Sequence, residues 1–163
     1  MDDLTRKNLQ DYFPGAENVD PQIIGDLFDI ASVVEDIQHH IRELAQETGM
    51  PSVHFFLLEH LALNGGAASL GDLLRVLNLP KQSATYIVDR LEKDMLVKRR
   101  PDPNDRRRYE VALTTKGKKL AKNKMSPFYE TLLNALQVIS KKDRESTAKT
   151  LEKFRDGLRD REE

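Results

Sequence analysis

Apolar residues recur at Ile23, Leu27, Ile30, Val34, Ile37, Ile41 and Leu44, in alternating steps of four and three. Such steps return each side chain to one face of an α-helix, so the stripe predicts a single helix sustained for more than three heptads. Ile24, Phe28 and Ala31 widen that face. Asp20-Pro21 marks its start, because aspartate can cap free N–H groups and proline suits the first helical position. Gly49 and Pro51 mark its end. A helix of this length on a small chain predicts packing against more than its own chain.

The next apolar run, Ser52 to Leu63, holds Phe55, Phe56, Leu57, Leu58 and Leu61, and predicts a buried helix stopped by Asn64-Gly65-Gly66. Ser69 with Asp72 makes a capping-box-like start for a short helix that carries Leu70, Leu73, Leu74 and Leu77 inward. Asn78 tolerates the left-handed conformation that ends it. A fourth helix follows Leu79-Pro80, with Ala84, Ile87, Val88, Leu91 and Met95 as its inner face. Short helix, tight turn, helix is the helix-turn-helix pattern. Val97 to Arg99 and Tyr109 to Leu113 then predict two strands, joined by a loop of prolines, aspartates and an asparagine. Thr114-Thr115 caps a fifth helix reaching Ile139, which Pro127 should kink or interrupt. Ser140 with Asp143 opens a sixth, whose apolar side holds Ala148, Leu151, Phe154 and Leu158. The predicted fold is mainly α with a small β-hairpin.

Composition changes this picture little. Of 163 residues, 39% are hydrophobic and 33% charged, a balance that suits amphipathic helices hiding one stripe against a partner. The net charge of −1 removes any whole-molecule argument for nucleic acid. Its distribution restores one. Residues 1 to 60 carry three basic groups against twelve acidic, whereas residues 98 to 124 carry eleven basic against three acidic. Segregation of this kind fits either an electrostatic footprint or a solvated helix and loop. The arginines crowd around the turn of RRPDPNDRRRYE.

Candidate chemistry is sparse. The absence of cysteine excludes a disulfide framework, a thiolate nucleophile, a thiol redox switch and cysteine-ligated metal. His39, His40, His54 and His60 lack the spacing of an HExxH site, and there is no Gly-rich phosphate loop or GxSxG elbow. We therefore expect no catalytic residue, no metal site and no cofactor; the chain does not read as an enzyme. Nothing at the N-terminus has the apolar core of a signal peptide, and no stretch reaches membrane-span length, so the expected location is the cytoplasm.

The stretch SLGDLLRVLNLPKQSATYIVDRLEKDMLVKRRPDPNDRRRYEVALTTKGKKL resembles the MarR family of transcriptional regulators. Its signatures are the YIVDRLEK helix, the LVKR strand entry, the DPNDRR tip and the VALTTKG exit; flanking helices in the right order extend the likeness over most of residues 20 to 160. The resemblance implies a winged helix-turn-helix over 51–114, dimerisation helices over 19–50 and 115–163, and a loosely held arm over 1–18. It also implies a homodimer that binds pseudo-palindromic double-stranded DNA, mostly as a repressor, and is released by a small phenolic or anionic aromatic ligand. The effector would lie between the dimer helices and the DNA-binding lobe, against apolar residues such as Phe28, Val34 and Phe56 with a histidine.

In a helix-turn-helix the start of the second helix meets base edges. Here it would present Lys81, Gln82, Ser83, Thr85 and Tyr86. Gln82 suits adenine, Lys81 guanine or phosphate, and the Thr85 methyl thymine; Tyr86 and Arg90 suit phosphate. In the hairpin, Arg106 matches the minor-groove arginine of the wing, and Arg107 would brace the wing against Asp89 or Asp105; Arg108 is an additional basic residue. Two departures stand out: Met95 replaces the usual glycine, which strains the turn if φ is positive there, and Pro80 replaces the usual side-chain cap, with the first helical position open to it. The rival readings are a winged-helix protein-interaction module that never binds DNA and a metal- or redox-sensing regulator, against which the missing cysteines argue.

Overall fold

A computed structural model describes residues 20–102 and 109–159. The first helix, α1 (Pro21–Glu47), starts where the sequence places it: the Asp20 carboxylate accepts from the Gln22 N–H at 2.9 Å, and Pro21 opens the helix. It closes at Thr48, followed by Gly49 at φ 83°. Helix α1 belongs to a unit of its own, residues 1–52. Its stripe stays largely in solvent: Ile23, Leu27, Ile30 and Ile37 are exposed, and Val34, Ile41 and Leu44 are half-buried.

The second unit, from Val53 onward, holds most of the core. In α2 (Ser52–Leu63), Phe55, Leu57, Leu58 and Leu61 are buried around the helix, which explains an apolar run without a polar face. Gly65 and Gly66, both at positive φ, turn the chain into a three-residue strand, β1 (Ala67–Ser69). Helix α3 (Leu70–Leu77) carries the expected capping box, with the Ser69 hydroxyl accepting from the Asp72 N–H at 3.1 Å and donating to its carboxylate at 2.7 Å. Asn78 ends the helix at φ 48°. Helix α4 (Lys81–Lys93) follows. Pro80 occupies the cap position and Lys81 is the first helical residue, so proline stands one place before the helical position left open to it; no side chain caps α4.

Strands β2 (Val97–Pro101) and β3 (Tyr109–Leu113) form the expected hairpin, with β2 running two residues further than predicted. The sheet order is β1-β3-β2, all antiparallel, with Val97 opposite Leu113, Arg100 opposite Glu110 and Ala68 opposite Val111. Strand β1 escapes sequence reading because three residues are too few to show alternation. Helix α5 (Thr115–Gln137) is capped by Thr114 and runs through Pro127 as one element, so the interruption allowed for at Pro127 does not occur. Proline removes one backbone donor, but buried Gly117 and Ala121 before it and buried Phe128 after it anchor both halves. Ser140 opens α6 (Lys141–Arg159), its hydroxyl accepting from the Asp143 N–H at 3.2 Å; α6 has no buried residue. Among the described residues no helix is long and apolar enough to cross a membrane.

Candidate nucleic-acid interface

Helix α4 separates two chemistries. Ala84, Ile87, Val88 and Leu91 are buried, at the three- and four-residue steps that put them on one face. The other face is polar and open: Gln82, Tyr86 and Arg90 follow at four-residue steps, with Lys81 and Thr85 alongside. Lys81, Gln82, Tyr86 and Arg90 are exposed, and Ser83 and Thr85 are half-buried. Tyr86 keeps 70% of its surface in solvent, a large aromatic that the core does not use. The Thr85 hydroxyl donates to the Lys81 carbonyl at 2.9 Å, which commits its donor. Arg90 meets Asp94 only at 3.8 Å with both side chains about half in solvent, a weak pairing. The structure thus places six of the predicted site residues on one short helix. Arg106 and Arg107, with Arg108, lie outside the described residues, as do residues 103–105 and the arm over 1–18.

The base of the hairpin is held by a residue that sequence reading passed over. The Arg99 guanidinium bonds Asp89 and Glu92, both on α4, and its backbone N–H donates to Glu92 at 2.9 Å. It also lies 5.7 Å from the Tyr109 ring centre. Burial works against its charge, but Asp89 and Glu92 outweigh burial and push its pKa up. Arg100 pairs across the hairpin with Glu110. Two of the three basic groups on β2 are therefore matched by acids, and among the described residues no partner is seen for Lys98. The DRLEKDML stretch held the signal, since Asp89 and Glu92 stand three apart on one helix face, but nothing in sequence alone names their partner.

The end of α4 is unusually well fastened. Met95 adopts φ 60°, the left-handed conformation raised as a possibility for this position. Its N–H donates to Glu92 and that of Leu96 to Leu91, both at 2.9 Å, the paired bonds of a Schellman ending. The following carbonyls are claimed from far along the chain. The Thr114 hydroxyl donates to the Met95 carbonyl at 2.6 Å, the Thr114 N–H to Leu96 at 3.1 Å, and the Lys116 ammonium to Asp94 at 2.8 Å. Gly117 completes the contact: a Cβ there would overlap the Leu96 carbonyl oxygen. The LTTKG exit is thus a clasp between α4 and α5.

Three of the four histidines make contacts within their own stretch of chain. His39 pairs with Glu43 at 3.1 Å, His40 lies 2.7 Å from the Asp36 carbonyl, and His60 contacts Asn64 at 3.3 Å. Burial lowers the His54 pKa against the pull of Asp94, with Arg90 adding to the fall. No cluster suited to a metal ion occurs among the described residues.

Comparison with known proteins agrees with this architecture. The model of the MarR family matches residues 39–108. The uncharacterized HTH-type transcriptional regulator YcgE of Bacillus subtilis (strain 168) is 39% identical over 69 residues, which cover 42% of this chain and 45% of that protein. The match thus spans less than half the length of that relative. The structure of AbsC, a MarR family transcriptional regulator from Streptomyces coelicolor, superposes with a TM-score of 0.70 at 19% identity over 82% of this chain and 92% of that one. NadR, crystallised in complex with 4-hydroxyphenylacetate, gives a TM-score of 0.65 at 24% identity over 78% of this chain and 89% of that one. At these identities the structural likeness is one of fold.

Proposed function

We propose that the chain is a MarR-family transcriptional regulator that binds double-stranded DNA with sequence specificity, a reading supported by the family model over residues 39–108 and by the fold it shares with AbsC. It acts as a repressor in the cytoplasm, as a homodimer on a pseudo-palindromic operator. The observation that carries this reading is the outer face of α4, where Lys81, Gln82, Tyr86 and Arg90 stand in solvent over a helix whose other face is sealed into the core. Gln82 and Lys81 read base edges, with Ser83 and the Thr85 methyl beside them; Tyr86 and Arg90 fix register on phosphate. Arg106 enters the minor groove and Arg107 supports the wing.

The dimer reading is supported by apolar surface left open on each unit taken alone: Ile23, Leu27, Ile30 and Ile37 on α1, and Leu151, Phe154 and Leu158 on α6. Stripes of this size on charged helices need a cover. Release is assigned to a small aromatic or anionic ligand, of the type bound by NadR. With no cysteine in the sequence, a thiol-oxidation trigger is chemically absent. Salicylate at millimolar concentration is therefore expected to weaken operator binding, and peroxide to leave it unchanged.

The decisive experiment is selection of duplexes by the purified protein, followed by binding measured against salt. A pseudo-palindrome with half-sites about 10 bp apart is expected, with affinity falling steeply as salt rises. Gln82→Ala should relax selectivity at one base position, at about 1–3 kcal/mol, and Arg106→Ala should weaken binding while leaving the fold intact. Absence of any salt-dependent affinity for duplex would make the domain a protein-interaction module instead.

A further inference from the structure

The turn that ends α2 lacks a bond that the end of α4 has. Gly66 donates its N–H to the Leu61 carbonyl at 2.7 Å, and its own carbonyl accepts from the Leu113 N–H at 2.8 Å, so it ties α2 to β3. In a full Schellman ending the preceding residue, Gly65, would donate to Ala62. Both bonds are made where α4 ends, from Leu96 to Leu91 and from Met95 to Glu92. At the end of α2 the second is missing, and no acceptor is found for the Gly65 N–H among the described residues.

The residue before Gly65 is Asn64, exposed, and of the seven asparagines it alone precedes a glycine. Its side chain is held against the last turn of α2. The Asn64 Nδ2 donates to the His60 carbonyl at 2.7 Å and lies 3.3 Å from the His60 Nδ1. An amide carbon, an adjacent backbone N–H without a partner, and an imidazole on the nitrogen that would leave are the parts of an intramolecular acyl transfer. Glycine has no side chain to hinder closure of the five-membered ring. Imidazole is the side chain suited to exchange protons near neutral pH.

We propose that Asn64 is a self-modification site, deamidating through Gly65 with His60 as general acid. The Gly65 nitrogen attacks the Asn64 Cγ, the ring bond forms, and the Gly65 proton passes to water. Nδ2 then leaves as ammonia with a proton from His60, which takes another from water. A second water opens the succinimide at either carbonyl, giving aspartate or isoaspartate. The net change is amide plus water to carboxylate plus ammonium. Isoaspartate adds a carbon to the main chain just ahead of Gly65, so Gly66 can no longer meet Leu61 and Leu113 together. Strand β1, where Ala67 stands opposite Ala112, thereby loses its anchor. The site is separate from the outer face of α4 and limits the lifetime of the fold.

Incubation of the full chain at neutral pH tests this, with peptide mapping by mass spectrometry and labelling by isoaspartyl methyltransferase. Asn64 should convert before any other asparagine, and Asn64→Gln should abolish the early label. His60→Gln keeps a polar helix former, so it should fold, and it should slow the conversion about tenfold or more. Added imidazole should restore part of the rate in His60→Ala, which a merely structural role for His60 would not allow. In urea, where the His60–Asn64 contact is lost, wild type and His60→Gln should react at one rate. The isolated isoaspartyl fraction should unfold at lower urea than fresh protein. Another asparagine converting first, an unchanged rate in His60→Gln, a rate difference that persists in urea, or equal urea midpoints would overturn the proposal. None of these readouts depends on whether an operator is found.

Discussion

Helices α1 and α4 carry apolar stripes written in the same period, yet the two stripes meet opposite fates. The inner face of α4 is sealed, with Ala84 and Val88 wholly buried, whereas on α1 Ile23 keeps 60% and Ile37 53% of its surface in solvent. Periodicity states that a face wants a cover; it does not state who supplies it. Around α4 the cover comes from its own chain, because the β2–β3 hairpin and α5 return to it through the Arg99 pairs and the Thr114 clasp. The cover for α1 comes, in our reading, from a second copy.

The sharpest test of that contrast is to place the same charge in each stripe. Val88→Asp puts a carboxylate in a site with no accessible surface and no partner, at a cost of about 5 kcal/mol or more, comparable with the stability of a whole domain. Circular dichroism should show loss of the cooperative fold. Gly117→Ala attacks the clasp that keeps the α4 stripe covered. Since the new Cβ overlaps a backbone carbonyl, we expect about 3 kcal/mol of destabilisation by urea unfolding. A near-neutral effect would show that the clasp has slack.

Ile30→Asp is the counterpart on α1. It should leave the winged unit folded while weakening dimerisation at least a hundredfold, about 2.7 kcal/mol, as measured by sedimentation. A wild type that sediments as a monomer at micromolar concentration would break the comparison outright. Met95→Gly should act in the stabilising direction, by about 1 kcal/mol, because glycine bears no left-handed penalty and the methionine side chain is 65% exposed. The smallest effect is a pH effect. Burial, reinforced by Glu59, raises the Tyr129 pKa from 10.0 to about 12, so the folded state holds this proton more tightly. That contribution is complete below pH 10 and disappears as pH rises toward 12. Tyr129→Phe should remove that part of the alkaline decline, seen as a flatter difference between variant and wild type across this window.

Legibility followed the range of the interactions. Caps at Asp20, Ser69, Asn78 and Thr114 involve neighbours within a few residues, and each appears in the structure as local chemistry predicts. The exposed α4 residues were legible because helical period fixes which side chains share a face. Arg99 was not, since its bonds to Asp89 and Glu92 depend on where the hairpin returns, and a neighbouring arginine in sequence reads identically. Gly117 was opaque for a related reason: its role is the nearness of Leu96, 21 positions earlier in the chain. Pro127 misled because the break it encourages is local, while the anchoring of α5 on both sides of it is not.

The clasp also sets a mechanical ratio. Helix α5 has 23 residues, and at the usual rise this makes an arm about 34 Å long. One end of the arm is pinned to the residues that end α4, Asp94 to Leu96, by four hydrogen bonds and a contact with no room for a methyl group. A tilt of about 5° at the pin corresponds to roughly 3 Å at the far end, so a small displacement imposed on Leu133 or Leu136 returns to α4 as a rotation. The pitch of α4 is in this sense set remotely, at the end of a lever whose fulcrum is a glycine.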